Sequence, residues 1–212
     1  MIRRTFARGC ACLTLGWFAA APVWAQDAGL YDSITNPDAS FVRVIVDPLG
    51  IGAVQRTSFD AIESGISPYV VIDAPGEVQV AAGSLQGSMT VEAGQFYTYA
   101  LGADGTAKVI TDTITRSPGQ ADIAFYNLSD IPTADLYVPA AKAVAVAGVA
   151  AGASGAVALK APLTLDFEAR QGDTVLGTVN GIDLRRREGV TLILRGTGGT
   201  YELRANANEL MQ

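Results

Sequence analysis

Two carboxylates stand two residues apart in the segment LTLDFEAR, residues 163–170. If the segment is a strand, Asp166 and Glu168 share one face, because side chains alternate along a strand. A carboxylate pair can serve as acid and base in glycoside cleavage, but catalytic pairs flank the scissile bond from two sides of a cleft. The pattern therefore favours the solvent side of an amphipathic strand over a catalytic pair.

The segment LRRREG, residues 184–189, holds the densest group of basic residues in the chain. A guanidinium binds a carboxylate through two parallel hydrogen bonds. Arg185, Arg186 and Arg187 are therefore candidates for binding an anionic polymer or an acidic patch of a partner protein. The alternative is a charged turn ahead of the apolar strand that follows.

Aromatic side chains in the segment QFYTYAL, residues 95–101, offer a second kind of binding chemistry. In a strand, Tyr97 and Tyr99 share one face and Phe96 points to the other. Such a pair can form a stacking platform for sugar rings. Packing in the core of a β-sandwich is the favoured interpretation, because aromatic side chains bury large apolar areas.

The first 25 residues are predicted to be a cleaved signal peptide. Three arginines among the first eight residues precede a mostly apolar run, which ends in the small residue Ala25. The run is too short to cross a membrane. We therefore expect export to the periplasm, by the Sec or the twin-arginine route.

The residue types left after the leader restrict the chemistry. The chain has no histidine, and its two cysteines, Cys10 and Cys12, both lie in the leader. A nucleophile of the Ser-His-Asp or Cys-His type cannot be built, and zinc and copper lose their usual ligands. Removing three arginines from the 15 basic residues leaves 12 against 21 acidic ones, a net charge of −9 that repels nucleic acid. We predict a protein that is not an enzyme, with no cofactor and no metal.

Short apolar runs separated by Gly, Pro, Asp and Asn predict an all-β fold. The Ala/Gly-rich stretch 140–159 is weakly hydrophobic and is predicted to form two strands joined by a turn at 152–155, in preference to a membrane helix. The clearest predicted strands are residues 41–46, 69–72, 77–82, 95–101, 121–128, 142–149, 163–170, 190–195 and 200–205.

An internal repeat divides the chain. Residues 93–110 align with residues 188–204, so that Gly94 matches Gly189, and each copy reads as a strand, a glycine-rich loop and a return strand. The repeat predicts two tandem Ig-like β-sandwich modules. The predicted bounds are a first module with an extended N-terminal segment at 26–112, a linker at 113–120 that acts as a hinge, and a second module at 121–212.

Four motifs, in this order, resemble one known family. They are DAGLYD (27–32), PDASFVRV (37–44), AFYNLSD (124–130) and RREG (186–189) with the strand behind it. Over essentially the whole chain after the leader, the sequence resembles the periplasmic alginate biosynthesis protein AlgF family. The resemblance implies a non-catalytic, exported protein of two β-sandwich-like domains that is required for O-acetylation of the mannuronate residues of alginate. It implies an adaptor that associates with periplasmic SGNH-type acetylation proteins and a membrane-bound O-acyltransferase.

The same motifs supply the candidate residues for partner binding: Leu30 and Tyr31 in the first, Arg43 in the second, Tyr126 and Asn127 in the third. Leu30 and Tyr31 either pack back onto the first module or anchor a partner. The alternative function is a carbohydrate-binding module that contacts the anionic polysaccharide through the three arginines of LRRREG. A carboxylate-based enzyme and a structural surface protein are further alternatives.

Overall fold

The structure, a computed structural model, describes residues 36–211 and is almost entirely β. The predicted all-β fold is confirmed. Within the described range, the only helical element is a short 3-10 turn at Pro139–Ala141. The strands are β1 Ser40–Ile45, β2 Gly50–Val54, β3 Thr57–Ile62, β4 Val70–Ile72, β5 Gly76–Ala82, β6 Leu85–Val91, β7 Phe96–Leu101, β8 Ala107–Asp112, β9 Gln120–Ser129, β10 Thr133–Val138, β11 Ala143–Ala150, β12 Ala153–Lys160, β13 Leu163–Gln171, β14 Thr174–Leu184, β15 Gly189–Thr197 and β16 Thr200–Ala207.

The strands form four sheets of four strands, and the two halves of the chain have the same topology. The first half forms the sheets β4-β1-β7-β8 and β3-β2-β5-β6. The second half forms β12-β9-β15-β16 and β11-β10-β13-β14, which is the same order with every strand number raised by eight. In both halves the first strand runs parallel to the seventh. The repeat seen in the sequence is therefore one sandwich-like module built twice.

Alternation along the inner strands fills the two cores. In β1, Val42 and Val44 face the first sandwich, where Tyr97 and Tyr99 also lie, each 7% exposed. The interpretation of these tyrosines as core residues is confirmed. In β9, Ile123 and Phe125 face the second sandwich. Each core thus lies between the two sheets of its own module.

The opposite faces of β1 and β9 are also buried, because the two modules pack against each other there. Residues of both modules form one apolar cluster: Ile45, Ile66, Ala100, Ala124, Tyr126, Leu128 and Ile193. The molecule is thus a stack of four sheets, with β4-β1-β7-β8 and β12-β9-β15-β16 in the middle. Adjacent packed sheets lie about 10 Å apart, which puts the outer two about 30 Å apart.

The C-terminal residues tie the second module back to the first. The Tyr69 amide donates to the Glu209 carbonyl at 2.8 Å, and the Met211 amide donates to the Tyr69 carbonyl at 2.8 Å. This return segment and the buried face together connect the modules along their length. Two apolar faces that cover each other resist separation in water. The predicted linker at 113–120 and its hinge role stay a prediction.

The predicted strands fall on observed ones, but β2, β3, β6, β10 and β14 were not among the clear candidates. Strands β6 and β14 contain Gly87, Gly177 and Gly181 and have few fully buried residues, so their apolar signal is weak. The stretch 140–159 forms β11 and β12 with a turn at 151–152, as two strands were predicted. In the described part of the chain there is no helix with the length and apolar character to cross a membrane.

Candidate functional site

Arg43 projects from the middle of β1 into the junction between the modules and is 1% exposed. A charge buried this deeply needs partners for all its donors. Its Nε donates to Thr98 Oγ1 at 2.8 Å, within the first module. Its Nη1 donates to Asn208 Oδ1 at 2.9 Å, and its Nη2 donates to the Tyr126 hydroxyl at 3.1 Å, both in the second half of the chain.

Asp112, at the end of β8, supplies the opposite charge. Its Oδ2 lies 3.8 Å from Arg43 Nη2, and both side chains are almost fully buried. The carboxylate accepts hydrogen bonds from the Tyr69 hydroxyl at 2.8 Å, from Thr98 Oγ1 at 2.6 Å and from the Tyr126 hydroxyl. The cation and the anion thus share a set of hydroxyl groups that satisfies both, as stable burial of an ion pair requires.

Two tyrosine rings enclose the guanidinium. The Arg43 guanidinium carbon lies 4.3 Å from the ring centroid of Tyr69 and 5.6 Å from that of Tyr126, distances at which a cation is attracted to a ring face. Burial raises the pKa of both phenols above the ordinary value. Both hydroxyls therefore stay protonated at neutral pH and remain donors to Asp112.

The same network includes Asn208, directly after β16, and Thr191 in β15. Asn208 Oδ1 accepts from Arg43 and also from Thr191 Oγ1, at 2.7 Å. The network of Arg43, Tyr69, Thr98, Asp112, Tyr126, Thr191 and Asn208, called the junction network below, contains residues of both modules. Its geometry provides orientation and cohesion, because each of the three guanidinium nitrogens of Arg43 donates a hydrogen bond inside the protein.

Three of the candidate partner-binding residues are buried in the structure. Arg43 and Tyr126 belong to the junction network and are buried. Asn127 is also fully buried: its Nδ2 donates to the Ile131 and Val149 carbonyls at 2.9 and 3.0 Å, and it shapes the turn after β9. These three side chains contribute to the packing of the fold, and a role in partner binding stays a prediction. Leu30 and Tyr31 lie outside the described residues, and their role stays a prediction.

The three arginines of LRRREG lie on an exposed turn between β14 and β15. Arg185 Nε pairs with Asp183 at 3.0 Å, and Arg186 Nε donates to the Ala161 carbonyl at 3.0 Å. The Arg187 amide donates to the Gln120 carbonyl at 3.0 Å. Their binding role stays a prediction, on a turn that is fixed to the start of β9.

Asp166 and Glu168 lie on the solvent side of β13 and have separate structural partners. Asp166 Oδ1 accepts from the Gly181 amide at 2.7 Å, and Glu168 Oε2 pairs with Arg170 Nη2 at 2.5 Å. The Arg170 guanidinium in turn lies 3.5 Å from the ring centroid of Tyr137. Residues 36–211 contain no group of three or more acidic side chains placed to hold a metal ion.

A second contact across the junction comes from Arg195 in β15. Its Nη1 pairs with Asp47 at 2.9 Å, and its Nη2 donates to the Val46 carbonyl at 2.6 Å. The Arg195 side chain is 15% exposed, whereas that of Asp47 is 74% exposed. Arg195 therefore ties the end of β1 to the second module from the rim of the junction.

Comparisons with known proteins find a partial structural likeness. No protein-family model matches the chain, and no curated protein matches it. Among solved structures, the C-terminal domain of AlgF from P. aeruginosa is similar at a TM-score of 0.38 and 21% identity, covering 42% of this chain and 99% of that one.

Proposed function

We propose that this protein is a non-catalytic periplasmic adaptor for the O-acetylation of alginate or a related exopolysaccharide. It brings SGNH-type acetylation proteins together, with a membrane-bound O-acyltransferase as a further partner. The motifs DAGLYD, PDASFVRV, AFYNLSD and RREG, in family order, support the polymer class and the reaction. The complete absence of histidine supports the non-catalytic role, because SGNH chemistry uses a serine with a histidine.

The stack of four sheets supports the proposed adaptor role. The junction network and the apolar cluster fix the two inner sheets to each other. The outer sheets, β3-β2-β5-β6 and β11-β10-β13-β14, then face opposite sides of one body. Two binding faces at a constant separation are what a protein needs to hold two partners in register, and preorganisation of this kind lowers the entropic cost of binding.

Partner capture tests the adaptor role directly. The exported protein, immobilised through a C-terminal tag, is incubated with a purified SGNH-type acetylation protein from the producing organism. Saturable binding is expected at physiological salt. Absence of binding to every acetylation component contradicts the proposal.

Deletion in the producing cell tests the reaction class. We expect polymer acetylation to be lost while polymer yield is largely kept, because the adaptor acts on modification and not on synthesis. Complementation with the Asp166→Asn/Glu168→Gln variant should restore acetylation fully. Failure of that variant, with normal protein levels, would favour carboxylate chemistry instead.

Direct contact with the polysaccharide is the competing function, and the exposed Arg185–Arg187 turn is the observation that favours it. Binding of mannuronate oligomers that weakens steeply with salt, and on replacing all three arginines by alanine, would support it. An adaptor without polymer contact shows no binding to these oligomers at low salt.

A further inference from the structure

The described chain enters β1 beside an open groove on the first module. The Gly94 amide donates to the Ala39 carbonyl at 2.7 Å, and the Phe41 amide donates to the Gln95 carbonyl at 2.9 Å. Gly94 and Gln95 also line the groove, a cavity of about 350 Å³. Ala39, three residues after the first described residue, is therefore bonded to the edge of this groove, while the Asn36 side chain donates to the Asp73 carbonyl at 3.0 Å.

The groove combines an apolar wall with a cation. Phe96 and Ile114 line it, and Arg116 lies across it with its guanidinium carbon 5.1 Å from the Phe96 ring centroid. Arg116 Nη2 donates to the Gly94 carbonyl at 3.3 Å, which holds the guanidinium over the groove. An aromatic or branched side chain with an adjacent carboxylate matches this surface.

Further basic residues lie next to Arg116. Its amide donates to Asp122 Oδ2 at 3.3 Å, while the Asp122 amide donates to the Glu188 carbonyl at 3.0 Å. The turn that carries Arg185 and Arg187 is therefore placed beside the groove. We call the groove together with Arg116 and Arg185–Arg187 the basic groove. Asp112 also lines the groove, and Arg185 pairs with Asp183, so the arginines of the basic groove stand among carboxylates.

The N-terminal motif DAGLYD has the complementary pattern. Asp27 and Asp32 flank the apolar pair Leu30 and Tyr31. Tyr31 precedes Asn36 by five residues, which span up to about 17 Å when extended. We propose that residues 27–32 bind the basic groove of their own chain, with Tyr31 or Leu30 against Phe96 and Ile114 and the aspartates facing the arginines.

Tethering favours this occupant over a separate partner. A segment joined to the fold through four or five residues has an effective concentration at the groove in the millimolar range or above. Opposite charges on the two surfaces add to that advantage, and they are screened only in part at physiological salt. The motif thereby completes the first module and does not extend from it.

Proximity is tested by cross-linking. Both natural cysteines precede residue 13, so the exported protein is predicted to contain none. An introduced pair of cysteines then supplies the only thiols that a cross-linker can join. Tyr31→Cys combined with Thr113→Cys, in the groove wall, should cross-link with a short bismaleimide in high yield. The matched control pairs Tyr31→Cys with Asp173→Cys, in the β13–β14 turn of the other module, and should not. Equal yields in the two variants overturn the proposal.

Thermal unfolding tests the energetic contribution separately. Leu30→Ala/Tyr31→Ala should lower Tm by roughly 2–4 °C, the shift expected for the loss of one modest contact in a chain of this size. The same change in an Arg116→Ala background should lower it by less, since the two sides of one contact are not additive. Unchanged Tm combined with lost capture of an SGNH-type acetylation protein assigns the motif to a partner and overturns the proposal. The cross-linking yield and the shift in Tm do not depend on the acetylation role.

Discussion

Arg43 and Tyr126 occupy equivalent positions in the two modules and contact each other. Arg43 lies opposite Thr98 in β7, and Tyr126 lies opposite Ile193 in β15. The repeat that aligns Gly94 with Gly189 also aligns Thr98 with Ile193, so Arg43 and Tyr126 are equivalent residues of β1 and β9. The hydrogen bond from Arg43 Nη2 to the Tyr126 hydroxyl, 3.1 Å long, therefore lies where equal faces of two copies of one module meet. Such self-complementary contact is the geometry of an isologous dimer, here within one chain.

Removing the charge of Arg43 should be strongly destabilising. Arg43→Met leaves the Asp112 carboxylate buried without its counter-charge, which costs about 3–5 kcal/mol of unfolding free energy in comparable pairs. Urea unfolding measures it. Arg43→Met/Asp112→Asn should recover part of the loss, because no unpaired charge remains. A double variant as unstable as the sum of the single variants would show that the pair is not coupled.

Tyr126→Phe tests the contact between the modules with a smaller change. The lost hydroxyl leaves one donor of Arg43 and one acceptor of Asp112 less satisfied, for a cost of about 1–3 kcal/mol. A double-mutant cycle with Arg43→Met should give a coupling energy of about 0.5–3 kcal/mol. The control is Tyr137→Phe on β10, outside the junction, for which no coupling to Arg43 is expected.

The burial of Arg43 and Tyr126 could have been read from the sequence. The run FVRVIV has apolar residues on both faces of the strand, as does ADIAFYNL, and a strand that is apolar on both sides is covered on both sides. Arg43 within such a run requires a buried carboxylate. Which carboxylate it is could not be known, since Asp112 follows 69 residues later and only the packing of the two modules completes its surroundings.

Arg195 should contribute to the junction more than other surface arginines. Arg195→Ala removes its contacts with Asp47 and the Val46 carbonyl and leaves that part of the junction open, so we expect a loss of about 1–2 kcal/mol. Arg204→Ala is the matched control, because Arg204 pairs with Glu202 on the exposed surface of the same hairpin, where such pairs contribute about 0–1 kcal/mol. Equal losses for the two variants would place the Arg195 contacts among ordinary surface pairs.

Closure of the second sandwich depends on Gly177 in β14. A Cβ at this position would lie 2.7 Å from the Leu203 amide nitrogen of β16, a backbone atom that cannot move without disturbing the sheet. Gly177→Val should therefore lower the unfolding free energy by about 1–3 kcal/mol through overpacking. Gly119→Val, where the added Cβ has open space, is the control. A tolerated Gly177→Val would mean that β14 and β16 separate easily.

Alkaline pH should unfold the protein through Tyr69 and Tyr126, the two tyrosines of the junction network. Burial raises the pKa of Tyr69 and Tyr126 above about 10, the ordinary value for a phenol. Below pH 10 both phenols are protonated in the folded and the unfolded chain, so their contribution to stability is constant. Above it the unfolded chain releases protons that the folded chain keeps, and stability falls by up to about 1.4 kcal/mol per pH unit for each tyrosine. Urea unfolding between pH 8 and pH 11 should show this slope reduced by half in Tyr69→Phe or Tyr126→Phe. Thr98→Val loses a hydroxyl of the same network but no titrating group, so it should be less stable at every pH with an unchanged slope of unfolding free energy against pH. A flattened slope in that variant would assign the alkaline transition to other groups.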